Sequence, residues 1–261
     1  MSSSGDIIWD TSYFRAACLS CVAFLIIYKY VSPILSAFVF PGYLHLHTEK
    51  KIDWNTRVIS SIHAAVVSSM CAYTLLYDAG LSKDPIWWDA PVVRTSCAIV
   101  VGYMVADLII MTVHYKTIGE VFYFFHHGAS IYAYVYVMTI GVLPYFANYR
   151  LIAEFSTPFV NQRWFLDVLG YEKKSSLFVV NGIVMTIVFF LVRVACMPLY
   201  WYKVYSVCGT HSFITLGHMR YVLVFTCVVL DSINLYWFYR MCAGVRKVLT
   251  SHDKNRNIKT Q

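Results

Sequence analysis

The chain is dominated by apolar runs of about 20 residues, the length a helix needs to cross the hydrocarbon core of a bilayer. Six are clear, at about residues 14–37, 58–77, 95–113, 121–143, 177–199 and 221–240. Segments with Pro, Gly or charge separate them: Pro41-Gly42, Asp78 to Arg94, Lys116 to Glu120 and Glu172-Lys173-Lys174. Of the 261 residues, 59% are hydrophobic and 13% charged, against roughly 25% charged in a soluble domain. Those figures exclude disorder, a fibrous protein and an ordinary water-soluble enzyme. They leave an all-α integral membrane protein.

A seventh stretch, 144–168, is long enough to cross but carries Arg150, Glu154 and Arg163. Loop charge chooses between the two counts. With six spans, Lys50 and Lys51 lie opposite the basic C-terminal tail. With seven, Lys50, Lys51, Arg57, Lys116, Lys173, Lys174 and the tail share one side, and the acidic loop with Asp78, Asp84 and Asp89 takes the other. The positive-inside rule favours seven transmembrane helices, with the N-terminus lumenal and the C-terminus cytoplasmic. The first ten residues lack a basic leader region, Ser2 stands where N-myristoylation needs glycine, and the C-terminus is no prenylation box. The net charge of +7 then reads as topology signal beside an anionic leaflet, not as nucleic-acid binding. Cys18, Cys21, Cys71, Cys97, Cys196, Cys227 and Cys242 fall in or beside apolar runs and are expected as buried free thiols. Lys29 and Pro33 are expected to kink the first span.

Ionisable residues inside a membrane are costly and mark function by default. At the helical rise, His63, Asp107, His126, His127, Asn161, Asn181 and Asn234 fall in one slab roughly 6–10 Å below the cytoplasmic interface. Glu154 and Asp231 lie deeper, with Arg150 and Arg193 on the lumenal side. Arg150 and Glu154 are spaced i,i+4 and are expected to pair on one helix face. That leaves Arg193 to seek Asp231 or Asp107. His127 shares its face with Tyr123, Ser130 and Tyr134 and should look into a polar cavity, whereas His126 should flank a helix contact or the cavity edge. Interhelical hydrogen bonding is the bland account of Asn181 and Asn234. No histidine lies three or four residues from either member of the pair, so no metal is expected. Asp107 could orient an imidazole for acid–base or nucleophilic chemistry; a structural histidine pair is the plain alternative.

The segments FYFFHHGAS at 122–130, NYRLIAEFSTPFVNQRWF at 148–165 and KKIDWNTRVISSIHA at 50–64 together resemble the TLC family. That family includes the TRAM translocon proteins, the ceramide synthases and several lipid-homeostasis proteins. The resemblance implies a six-helix bundle around a lipid-accommodating cavity. On that reading 1–47 hold the lumenal tail, first helix and loop, 48–245 the TLC domain and 246–261 a basic cytoplasmic tail. It also implies that His126 and His127 match the ceramide synthase catalytic histidines and Arg150 the family arginine. The acidic pair that comes next in ceramide synthases is not matched, since Leu151 to Pro158 holds only Glu154.

The expected function is membrane lipid homeostasis at the endoplasmic reticulum, by binding or transferring a lipid in an intramembrane cavity. The expected cavity residues are His63, Tyr123, Ser130, Tyr134, Arg150, Glu154, Asn161, Asp231 and Asn234. The alternative is a lipid N-acyltransferase using His127, His126 and Asp107, with acyl-CoA as co-substrate. Otherwise no cofactor is expected. Membrane lipids are the expected partners, nucleic acid is not, and homo-oligomerisation is left open. Short loops and buried charges give no support to a receptor.

Overall fold

The computed structural model describes residues 10–259, with side chains described as far as Arg246. All regular structure among these residues is helical. The main helices are α1 (Ser12–Val39), α2 (Thr48–Tyr77), α3 (Pro91–Val113), α4 (Val121–Ile140), α5 in three pieces (Pro144–Leu151, Ile152–Ser156 and Thr157–Val168), α6 (Ser176–Val207) and α7 (Met219–Lys259). Five of them are long and apolar enough to cross a membrane: α1, α2, α3, α6 and the α7 segment Met219–Arg246. The chain is a multi-pass membrane protein. α4 and α5 are diluted by histidine, tyrosine, asparagine and arginine and fall outside those five.

Proline shapes two of the long helices. It cannot donate to the carbonyl four residues back, and its ring crowds that carbonyl. In α1 the carbonyl four residues before Pro33 belongs to Lys29, inside a π turn over Ile27–Val31. In α6 the corresponding carbonyl belongs to Val194, at the end of a π turn over Phe190–Val194, and the next amide, Ala195, bonds back to Phe190. Proline and the wider turn together shift the face that each later residue presents. α4 ends on Gly141, whose φ of +77° is the left-handed cap that glycine adopts freely.

α3 is the central rod. Ser96, Cys97, Ala98, Val100 and Ala106 have no exposed surface. α1 lies against it through small residues. A side chain on Gly102 would overlap the Ala17 carbonyl and Ser20, and the Ser20 hydroxyl donates to the Ile99 carbonyl (3.0 Å). The second half of α1 is pinned to α2 by two buried hydrogen bonds. Ser32 donates to Asn55 (2.8 Å), and the Trp54 indole donates to Ser36 (2.8 Å). At the other end Arg94 donates to the Met138 and Thr139 carbonyls and to Asp10, tying the start of α1 to α3 and α4. Hydrogen bonds from the Ser12 hydroxyl and amide hold the exposed Asp10 carboxyl below its usual range.

The outer faces of α1 and α7 carry large exposed apolar side chains, among them Leu19, Ile34, Phe38, Phe225 and Val228. This corrects the expectation for the thiols. All eight cysteines are free, but only Cys71, Cys97 and Cys227 are buried; Cys18 and Cys242 are exposed, because their helices pack on one side only.

Candidate functional site

The histidine pair opens α4. His127 is buried, and its Nδ1 lies 2.9 Å from the Tyr123 carbonyl oxygen. A carbonyl can only accept, so Nδ1 carries a proton. The other nitrogen, Nε2, lies 3.1 Å from Asp107 Oδ2 on α3. That approach is too oblique for an aligned hydrogen bond. It still brings a carboxylate oxygen of α3 against a ring nitrogen of α4. The His126 ring lies 5.7 Å from that of His127 and 5.6 Å from that of Trp237 on α7.

Two arginines organise the remaining buried charge. Arg193, set by the α6 π turn, donates to Ser156 (2.8 Å), Asn234 (3.0 Å) and Thr157 (3.3 Å). Its Nη2 lies 4.0 Å from Glu154, which also accepts from Thr157 (2.9 Å). Arg150 instead grips Asp231 of α7 with both terminal nitrogens, and the Trp201 indole donates to the same carboxylate (2.8 Å). The Arg150 guanidinium lies over the Tyr200 ring at 3.8 Å.

The expected Arg150–Glu154 pair is thereby corrected, and so is the expectation that Arg193 reaches Asp231 or Asp107. The reason lies in the backbone. Ile152–Ser156 is a 3-10 segment, which turns about 120° per residue against about 100° in an α-helix. Four residues of partly tightened helix rotate Glu154 off the Arg150 face and toward α6.

A recess of about 740 Å³ opens at the end of the bundle where α2 and α4 begin and α3 ends. It is lined by Arg57 and Ser60 of α2, Tyr103 and Asp107 of α3, Tyr123, His126 and His127 of α4, Glu154 and Asn161 of α5, Arg193 of α6, and Trp237 and Arg240 of α7. Asn161 is fixed by accepting from Arg57 (3.3 Å) and donating to Ser61 (3.0 Å).

The residues expected to share one cavity divide among several places. Asp107, His126, His127, Tyr123, Glu154 and Asn161 line the recess. His63 does not: it stacks flat at 3.9 Å on Tyr103, itself a lining residue, and neither ring nitrogen makes a hydrogen bond. Ser130 and Tyr134 lie about 4.5 and 10.5 Å farther along α4, where with Arg150 they line a small, almost wholly apolar cleft of about 50 Å³. Asn234 lies beside Arg150 and Tyr134 at a further small cavity of about 40 Å³. Asp231 is consumed by its pair with Arg150. Sharing a helix face over seven residues spreads side chains over more than one cavity's depth.

Tyr103, Arg57, Trp237 and Arg240 were missed as lining residues. The signal for three of them was helical spacing: Tyr103 stands four before Asp107, and Trp237 and Arg240 stand three and six after Asn234. Among the described residues no group of three or more His, Cys, Asp or Glu could hold a metal ion.

A TLC domain model matches residues 53–243. The chain is 45% identical over 238 residues to TLC domain-containing protein 4-B of Danio rerio, covering 91% of this chain and 90% of that one. It is 43% identical over 243 residues to TLC domain-containing protein 4 of Homo sapiens, covering 93% and 92%. A more distant relative is the Topoisomerase I damage affected protein 4 of Saccharomyces cerevisiae, at 26% identity over 250 residues, covering 88% and 83%.

Proposed function

The chain belongs to the TLC domain family, and from that premise we propose that it binds or transfers a membrane lipid, with the recess as its polar intramembrane cavity. Its place is the endoplasmic reticulum membrane and its role membrane lipid homeostasis. α4 and α5 complete a seven-span topology with the N-terminus lumenal. The recess then opens toward the cytoplasm, on the side that holds Lys50, Lys51 and Lys116.

The observation that carries the reading is the recess itself. It is large enough for a small amphiphile. Six helices contribute polar or charged groups to it, while their outer faces are apolar. A lipid headgroup entering from the bilayer meets hydrogen-bonding partners there that the hydrocarbon does not offer.

A second reading, lipid N-acyltransfer, is favoured by one feature, the 3.1 Å contact of His127 with Asp107. A carboxylate beside an imidazole is how proteins orient a histidine for proton transfer. The unmatched acidic pair beyond Arg150 weighs against that chemistry and for the binder.

Two variants of the full chain, purified and also expressed in cells lacking the protein, separate the readings. Ser60→Trp projects an indole into the recess and should remove the lipid that copurifies, as read by mass spectrometry. Unchanged copurified lipid overturns the recess as the binding site. His127→Gln keeps hydrogen-bonding capacity but cannot act as a base. Restored cellular lipid composition supports the binder. Lost restoration with lipid still bound supports the transferase.

A further inference from the structure

The charged groups around the recess nearly cancel one another, and the remainder specifies a ligand. Arg57 is paired with Asp53 at 2.9 Å. Arg193 faces Glu154 at 4.0 Å. His127 faces Asp107 at 3.1 Å. Two charged lining residues are left. Glu120, at the start of α4, makes no ion pair and no side-chain hydrogen bond among the described residues. Arg240, on α7, has only a neutral partner, the Tyr236 hydroxyl at 3.0 Å. Both are exposed at the mouth of the recess. The dipole of α4 favours an acid at its first turn; Arg240 lies in mid-helix, where no helix end accounts for it.

We propose that the recess selects a lipid with a zwitterionic headgroup, its cationic nitrogen beside Glu120 and its phosphate beside Arg240. The inference rests on the reading of the recess as a lipid site and adds the class of lipid. A headgroup that is only anionic would meet Arg240 but place its charge near the Glu120 carboxylate. A headgroup that is only cationic would satisfy Glu120 and leave Arg240 without an anion. A guanidinium matches the phosphate oxygens, and a carboxylate accepts from an ammonium. A zwitterion answers both without adding net charge to a recess whose other charges are already matched.

The test is native mass spectrometry of the purified full chain with three lipids of identical dioleoyl tails: phosphatidylethanolamine (zwitterionic), phosphatidylglycerol (anionic) and trimethylammonium propane (cationic). The zwitterionic lipid should bind about fivefold more tightly than either other, the scale of one exposed charge contact. Arg240→Gln should erase its advantage over the cationic lipid, and Glu120→Gln its advantage over the anionic lipid. Both residues are exposed, so neither change should disturb folding, which size-exclusion profiles check. Equal binding of the three lipids, or an unchanged ranking in both variants, overturns zwitterion selection while leaving the recess as a lipid site. Binding of none of them to folded protein overturns the lipid-site reading and this inference with it.

Discussion

Two clusters of buried charge lie within this bundle, and they are built differently. Around Arg150 the guanidinium has a bidentate carboxylate in Asp231, an aromatic face in Tyr200 and an indole donor closing the remaining Asp231 acceptor. The adjoining cleft is small and apolar. Around Asp107, His127 and Glu154 the carboxylate contacts are looser, although Arg193 itself donates three hydrogen bonds to neutral groups. One carboxylate approaches its histidine obliquely, another stands 4.0 Å from its arginine, and a recess of about 740 Å³ keeps the groups accessible. The first cluster is closed by a contacting counter-ion, with only Arg150 Nε left without a hydrogen bond. The second has capacity left over. A buried charge matched by a close counter-ion inside the protein locks helices together; one that is not is where a ligand can supply the rest.

The same substitution made in both clusters tests this contrast most strongly in the first. Asp231→Asn removes the anion from a buried guanidinium and turns an amide toward it. Leaving one member of a buried pair uncompensated costs about 3–5 kcal/mol. We expect the variant to lose most of its folded yield in detergent or to melt far below the parent, as a thermal-shift assay reads. A melting temperature close to the parent's would mean that the Arg150 cluster does not hold α5 to α7.

The next effect is a coupling. Arg150→Ala combined with Asp231→Ala should cost less than the sum of the single changes, by about 0.5–3 kcal/mol, because each single change leaves the other charge unpaired. Arg150→Ala combined with Glu154→Ala should be additive within about 0.5 kcal/mol. The reverse pattern would restore the i,i+4 pairing that the bare spacing suggests.

That reversal of partners shows where sequence reading stops. Apolar run length located the long helices, and loops with Pro, Gly and charge separated them. The rise per residue put Asp107, His126 and His127 at one depth, and the structure brings Asp107 against His127. Partner choice was less legible because it depends on helix phase. The 3-10 turn at Ile152–Ser156 and the π turn at Phe190–Val194 each shift the phase of the residues C-terminal to them. Pro198 hints at the second; no residue announces the first. The same limit let Ser130 and Tyr134 pass as cavity residues, since a shared face says nothing of where a cavity ends. For 144–168, hydropathy was ambiguous because the stretch spends its polar residues on interhelical bonds: Asn148 to α2, Arg150 to α7 and Asn161 to α2.

The smallest effect on stability should come from Asp107→Asn, although it alters the same kind of group as Asp231→Asn. His127 keeps its Nδ1 donation to the Tyr123 carbonyl. Its Nε2 lone pair, no longer facing a carboxylate, can accept from the new amide. The carboxylate is exchanged for an amide of the same shape, and no guanidinium loses its anion. Nothing in this exchange resembles the unpaired guanidinium that Asp231→Asn creates. We therefore expect a change of less than about 1 kcal/mol, the scale of one rearranged hydrogen bond, visible as a small shift in the same thermal assay. The recess should keep its shape and its copurified lipid. A large loss of stability would place His127 and Asp107 in the same structural class as Arg150 and Asp231, and the distinction between the two clusters would fall. A stable variant that retains lipid but fails to restore lipid composition in cells would show that the Asp107 carboxylate, and not the cavity alone, is what the protein uses.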